Sequence, residues 1–278
     1  MKINDRTKFL GGTDCSGILG MSRYKTPLQV WAEKTGRIQP VDISDKVCVK
    51  VGIELEDLVA KLFCDETGKK VRRFNDTLFH KDYSFLGANI DRRIVGENAV
   101  LECKTASAYK SNEWSGDEIP QEYILQCLHY LAITGAEKCY IAVLIGNQDF
   151  KWKEIFRKDN EELIKTIITK EVDFWTNFVI PQVMPAITSE DADTLSNLYP
   201  DAKDNEILLD ESVNAKIETI ENLSSQKKKI EEEIDLKENE IKSLLQDNER
   251  ARTNRYFLTW KKYQGNSVDT KALQSKFK

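Results

Sequence analysis

The chain has 278 residues, with 41 Lys plus Arg against 46 Asp plus Glu, two His and six Cys. Its 40% hydrophobic content is enough for a sizeable core and excludes a wholly disordered chain. Two histidines exclude a His-rich metal site, and a net charge of −5 excludes broad coating of nucleic acid while leaving a local basic channel open.

At about 100–200 residues per domain, the length predicts one medium domain with an addition, or two domains. Charge divides the chain into three segments. Residues 1–185 are close to neutral (26 basic, 27 acidic), 186–250 are acidic (8 and 18), and 251–278 are basic (7 and 1). The N-terminal stretch to Gly20 carries Lys2, Asp5, Arg6, Lys8 and Asp14 without an apolar signal core. No run approaches the roughly 18 apolar residues of a membrane helix, so a cytosolic protein is expected. The six cysteines lack C-x-x-C spacing and read as small buried hydrophobes in a reducing compartment, with zinc and iron–sulfur sites disfavoured.

The first segment reads as mixed α and β. Thr26 to Gly36 predicts a short helix opened by Thr-Pro and closed by Gly. Gly52 to Thr67 carries apolar residues at 55, 58, 59, 62 and 63, a helical stripe ending before Gly68. Lys70 to His80 and Tyr83 to Ile90 are expected as strands. Arg92 to Val95 and Ala99 to Cys103 flank Gly96-Glu97-Asn98 as a hairpin. Gln121 to Thr134 predicts a helix ending at Gly135. Lys138 to Ile145 and Phe150 to Phe156 predict a second hairpin, and Asp159 caps a helix running to about Ile180, before Pro181 and Pro185. From Ile220, positions 220, 223, 227, 230, 234, 237, 241 and 244 keep a 3–4 spacing, with Lys at 227 and 237. This is a charged amphipathic helix, either a coiled coil or a helix folded back on its own protein. Arg255 to Tyr263 alternates as a strand does.

The chemistry concentrates in Gly87-Ala-Asn-Ile-Asp91 and Val100-Leu-Glu102-Cys103-Lys104. Side chains alternate along a strand, so Glu102 and Lys104 share a face, and a hairpin can bring Asp91 beside them. Two clustered carboxylates repel each other, which a hard divalent cation such as Mg²⁺ relieves, keeping several of its waters. The backbone carbonyl of Cys103 offers another oxygen. Lys104 could orient or deprotonate an attacking water and stabilise charge on a phosphorane-like transition state. Glu56, on the preceding helix, could add a carboxylate; Glu54 is its rival, and the G-x-x-x-E spacing favours Glu56. Gln126 and Tyr130 lie four apart on one helix face, where they could orient Lys104 and the water. His129 and His80 have no nucleophile suitably placed and read as structural.

The ordered set helix-Glu, strand-Asp, strand-E-x-K, helix-Q-x-x-x-Y resembles the PD-(D/E)xK nuclease superfamily. More closely, it resembles the lambda-exonuclease-like, YqaJ-type phage recombination nucleases. The resemblance rests on Gly11-Gly12-Thr13-Asp14 with Ile18-Leu19-Gly20, Tyr24 to Leu28, Glu33 to Gly36, Gly52 to Glu56 and Asp91. It continues through Leu101 to Lys104, Ile119 to Gln126, His129 to Leu131 and Phe174-Trp175. It implies an α/β fold, a restriction-endonuclease-like central mixed sheet flanked by helices, over residues 1–185. An acidic linker with a long amphipathic helix (186–250) and a basic tail with a short strand (251–278) would follow. It also implies a Mg²⁺-dependent deoxyribonuclease, with Mn²⁺ able to substitute and two ions per site.

By motif position the catalytic set would be Glu56, Asp91, Glu102 and Lys104, with Gln126 matching the helix glutamine. Arg6 and Thr13 would grip a 5′ phosphate, Thr replacing the usual Ser; a solvated arginine and a helix N-cap are the alternatives. The implied activity is 5′→3′ resection of linear duplex DNA, leaving a 3′ overhang for an annealing protein. A trimeric ring around DNA, in a phage or prophage setting in a bacterial cytoplasm, is implied with it. A structure-specific or restriction-type endonuclease is the enzymatic alternative, and a noncatalytic DNA-binding recombination adaptor is the other. The tail beyond Pro185 departs from the simplest members; its Trp260 either contacts DNA or belongs to a packed strand.

Overall fold

The computed structural model describes residues 5–201 and 203–261. The chain forms two compact units, Met1–Ala202 and Lys203–Lys278. Among the described residues no helix is long and apolar enough to cross a membrane.

The first unit begins with a 3₁₀ turn at Arg6–Lys8, then helices α1 (Gly12–Ile18), α2 (Pro27–Lys34) and α3 (Val47–Thr67). Thr26 caps α2 by accepting from the Gln29 N–H at 3.1 Å, with Pro27 in the first turn as expected. Helix α3 starts a turn before Gly52, so that glycine lies inside it; its apolar Val59, Ala60 and Phe63 are buried. The following region is more broken than its β propensity suggests. Strand β1 (Val71–Arg73) stops early, and β2 (Leu78–Phe79) and β3 (Gly87–Ala88) form a separate two-stranded ribbon. The interruption falls at Asn75-Asp76, poor strand formers.

Strands β4 (Arg92–Ile94), β5 (Ala99–Ala106), β6 (Lys138–Ile145) and β7 (Asp149–Phe156) complete a five-stranded sheet of order β1-β4-β5-β6-β7. All pairs are antiparallel except β5 with β6. A parallel neighbour requires a crossover. It is made by a 3₁₀ segment, Ala108–Trp114, and helix α4 (Gln121–Thr134), which Gly135 closes at φ +67°. Helix α5 (Glu161–Phe174) continues into a π turn, Trp175–Val179.

The two faces of the sheet have different partners. Val100, Ile141, Val143 and Ile145 pack on Leu125 and Leu128 of α4 and on Ile164 and Ile167 of α5. Leu101, Tyr140, Ala142 and Leu144 pack on Val59, Ala60 and Phe63 of α3. A third cluster joins α2 to the end of α5, where Trp31 Nε1 donates to the Phe178 carbonyl at 3.0 Å.

The first unit continues past Pro185, where the sequence placed its end. Helix α6 (Ala192–Leu198) packs Leu195 and Leu198 into the third cluster, and buried Asp191 accepts from the Thr26 hydroxyl. Apolar side chains hidden between charged residues anchor a stretch that charge counting assigns elsewhere. The second unit holds α7 (Ser212–Leu245) and the hairpin of β8 (Arg250–Arg252) with β9 (Phe257–Thr259). Strand β8 has no apolar alternation to betray it; the Thr253 side chain organises the turn by accepting from the Arg255 and Tyr256 N–H groups. The Trp260 N–H extends the hairpin to the Glu249 carbonyl at 2.9 Å. The strand expected over Arg255 to Tyr263 is β9 where it is described; its positions 262 and 263 lie outside the described residues.

Candidate active site

The site forms where β5 outruns β4. Pairing of β4 with β5 covers Arg92–Leu101 and Arg93–Val100, so the β4-side edge of β5 is open at Cys103. Asp91, the residue just before β4, fills that gap: its Oδ2 accepts from the Cys103 N–H at 2.8 Å. In a strand the N–H and C=O of one residue point to the same edge, so the Cys103 carbonyl faces Asp91's side.

Glu102 and Lys104 project from β5 towards α4. Lys104 Nζ donates to Glu102 Oε1 at 2.5 Å and to Gln126 Oε1 at 3.0 Å. Gln126 Nε2 donates in turn to Glu102 Oε1 at 2.7 Å and to the Tyr130 hydroxyl at 2.8 Å. The four-residue helical spacing of Gln126 and Tyr130 is therefore used as a brace: the tyrosine holds the glutamine, which holds the lysine. The Lys104 ammonium also lies 4.9 Å from the Tyr123 ring centre, a cation–π contact.

Electrostatics fix the protonation pattern. Burial alone would favour loss of the Lys104 proton, but the Glu102 and Asp91 carboxylates outweigh it and raise its pKa, so it remains an ammonium. Burial and the Glu102 charge push the Asp91 carboxyl well above the usual carboxylate range, against the opposing Cys103 N–H. Burial and the same two carboxylates raise the Tyr130 phenol, keeping it neutral.

Glu56 approaches from α3, on the other face of the sheet. Its Oε1 accepts from Arg92 Nη1 at 2.5 Å, and Arg73 lies 3.5 Å away. Arg92 also binds Asp57 and the Asp91 carbonyl, the latter at 2.8 Å. Glu56 thus stands near Asp91 but is engaged by arginine, while Glu54 is exposed on α3. Buried Arg92 is a site residue that the motif order does not reveal. Its one sequence signal is a charge directly after Asp91 on a strand whose neighbours are covered.

A divalent cation fits this pocket. Among the described residues no group of three or more His, Cys, Asp or Glu side chains is gathered as a ready cage. Glu102, however, is only 3% exposed, and its Oε2 has no hydrogen-bond partner. An orphaned carboxylate oxygen in the interior calls for a partner. The available donors, Asp91, Glu102 and the Cys103 carbonyl, are all hard oxygens suited to Mg²⁺ or Mn²⁺.

The N-terminal motif packs against this machinery. Gly12 sits so close to α4 that a Cβ there would lie 2.7 Å from Tyr130 Cε1 and 2.9 Å from Gln126 Cγ. Gly11, rather than Thr13, is the N-cap of α1; Thr13 is exposed in the first turn. Arg6 is exposed on the preceding 3₁₀ turn, where its carbonyl accepts from Lys34 Nζ at 2.7 Å. Lys34 is ion-paired to buried Asp14 at 2.7 Å, which also caps the Gly11 N–H at 2.9 Å. His129 lies outside the site: Nδ1 is 2.8 Å from Glu171 Oε1 and Nε2 donates to the Gly87 carbonyl at 2.9 Å, all fully buried. His80 instead accepts at Nδ1 from the Asp82 N–H.

The fold is similar to that of an alkaline exonuclease, LHK-Exo, from Laribacter hongkongensis. The TM-score is 0.54 at 18% identity, covering 64% of this chain and 91% of that one, with the same values for its complex with dAMP. An uncharacterized protein, YqaJ, of Bacillus subtilis (strain 168) is 41% identical over 98% of this chain and 86% of its own length. Residues 3–137, which include Asp91, Glu102, Lys104, Gln126 and Tyr130, match the family described as the YqaJ-like viral recombinase domain. The chain belongs to the YqaJ-like viral recombinase family.

Proposed function

We propose that the chain is a divalent-metal-dependent deoxyribonuclease that degrades linear duplex DNA from a 5′ end in phage-type recombination. The observation that carries this is the Asp91–Glu102–Lys104–Gln126 constellation, with Glu102 and Gln126 buried, Asp91 and Lys104 half-buried, and one Glu102 oxygen unpartnered. The fold shared with an alkaline exonuclease supports it. Mg²⁺, with Mn²⁺ as substitute and two ions per site, would be held by Asp91, Glu102 and the Cys103 carbonyl, with Glu56 within reach only if it leaves Arg92. Such a cation polarises a phosphoryl oxygen and acidifies water.

The chain's own residues supply the rest. Lys104, kept protonated, places a positive charge and the one N–H that Glu102 and Gln126 leave free beside the scissile phosphate, where negative charge grows in the transition state. Gln126 and Tyr130 fix that ammonium within a hydrogen-bonded frame, so little reorganisation remains when the substrate arrives. Arg6 and Thr13 are proposed to grip the terminal 5′ phosphate; Thr13 suits this because its turn is packed on Gln126 and Tyr130. The product would be a 3′ overhang for an annealing protein, and a ring-shaped trimer would hold the duplex.

The test is nucleotide release from end-labelled linear duplex with 5′-phosphate or 5′-hydroxyl ends, beside a covalently closed circle. Mg²⁺-dependent release from the phosphorylated linear substrate, lost in Glu102→Ala and Lys104→Ala, is expected. Cleavage of the circle would make it an endonuclease. Metal-independent binding with no release by the wild type would make it a DNA-binding adaptor.

A further inference from the structure

The β1–β4 pair sets two arginines opposite two arginines. Arg73 faces Arg92 and Arg72 faces Arg93 in register. Like charges directly opposed across strands are destabilising. On the α3 side the problem is solved within the protein: Arg92 and Arg73 share Glu56 and Asp57. Alternation sends Arg72 and Arg93 to the other side, and there no carboxylate pairs with either among the described residues.

What lies there instead is a cavity of about 420 Å³, lined by Arg72, Arg93, Val100, Asn98 and Thr134. Arg93 Nε is buried without a hydrogen-bond partner. Its guanidinium lies 4.8 Å from the Phe74 ring centre, which holds the plane in place. Glu97 also lines the cavity, but Lys69, Lys138 and the Tyr140 hydroxyl already share its oxygens.

We propose that this cavity binds a phosphate group, which supplies on this face the counter-anion that Glu56 and Asp57 supply on the other. Two planar guanidinium forks about a concave site can each donate paired N–H groups to the several acceptor oxygens of a phosphate. The choice of phosphate rests on the nuclease reading, which gives two sources: the DNA backbone and a released mononucleotide.

The experiment uses the full chain without divalent cation. Duplex binding is followed by fluorescence anisotropy over a NaCl series for the wild type, Arg72→Gln, Arg93→Gln and the double variant. If the anion is a backbone phosphate, the slope of log K against log salt becomes shallower by about 0.9 in the double variant, as one phosphate contact is lost, with the single variants in between, for every DNA sequence alike. If it is a mononucleotide, the slopes stay put, but dAMP and inorganic phosphate shift the wild-type Arg93 Nε–H resonance and shift it less in Arg72→Gln. Unchanged slopes with an unmoved Nε–H resonance overturn the proposal. Arg72 is exposed, so its substitution leaves the core untouched, and that variant with the wild-type resonance decides the matter even if Arg93→Gln folds poorly. Neither readout needs hydrolysis. An inactive wild type with an arginine-dependent salt slope would sink the nuclease reading and keep this site, and the converse would do the reverse.

Discussion

Gly12→Ala tests the packing that ties the N-terminal motif to helix α4, which carries Gln126 and Tyr130. The added methyl would sit 2.7 Å from Tyr130 Cε1, whereas ordinary contact begins at 3.4 Å, so something must move by about 0.7 Å. Neither neighbour yields cheaply, because one is a buried ring and the other is Gln126 Cγ, well short of its flexible end. Overpacking of this kind costs about 1–3 kcal/mol. For a domain of this size that is a fall in Tm of roughly 2–12 °C. A displacement approaching 1 Å in groups that hold Lys104 should slow hydrolysis about ten- to a hundred-fold. Gly52→Ala is the matched control: it lies within α3, its new Cβ would meet only Thr105 Oγ1 at 3.5 Å, and loss of a helical glycine should stabilise by about 0.5–1 kcal/mol. Thermal melts and single-turnover nuclease assays of both variants check this. A Gly12→Ala protein that melts and cleaves like the wild type, or gains stability as Gly52→Ala should, refutes the close-packing argument.

Three further outcomes follow from the same geometry. Asp14 is held below its ordinary pKa of 3.8: burial opposes its charge, but Lys34, Lys25 and the Gly11 N–H outweigh that. Its contribution is therefore complete above that pKa and drains away as pH falls through the lower folded value; urea midpoints from pH 2 to 6 should show this slope, flattened in Asp14→Asn. That variant should also lose about 3–5 kcal/mol near neutrality, because Lys34 is left buried and unpaired. His129 behaves with the opposite sign: burial disfavours its charge, yet Glu171 raises its pKa above the ordinary 6.5. Its stabilisation is complete below 6.5 and lost as pH rises through the folded value, so urea midpoints should decline above neutrality in the wild type but not in His129→Gln. Finally, Mg²⁺ at a hundred times its Kd should stabilise the wild type by about 2.7 kcal/mol, and EDTA should remove the gain. Calorimetry showing the same gain in Glu102→Gln would place the ion elsewhere.

Much of the site was legible because its chemistry follows local rules. Strand alternation puts Glu102 and Lys104 on one face, and helical spacing puts Gln126 and Tyr130 on one stripe, whatever the rest of the chain does. Helix α4 and strand β6 have the expected bounds, since an apolar pattern closed by Gly135 leaves few alternatives. The break after β1 has a local mark in Asn75-Asp76, but the ribbon that follows it and the extension of the first unit past Pro185 were not legible. Both depend on which distant side chains arrive, Asn89 for Thr77 and Thr26 for Asp191.

The sequence by itself determined an α/β chain with a carboxylate–lysine pair on one strand face and a polar helix stripe able to meet it. It also determined three segments of different charge, because composition and period are properties of neighbours along the chain. Only the tertiary structure decided that β4 stops short, so that Asp91 can take the Cys103 N–H. Only there does Arg92 draw Glu56 to the α3 face, Gly12 admit α1 against Gln126, and Arg72 and Arg93 meet over a cavity. Each of these is a contact between residues far apart in sequence, and its existence depends on register, close approach and burial, which no local pattern encodes.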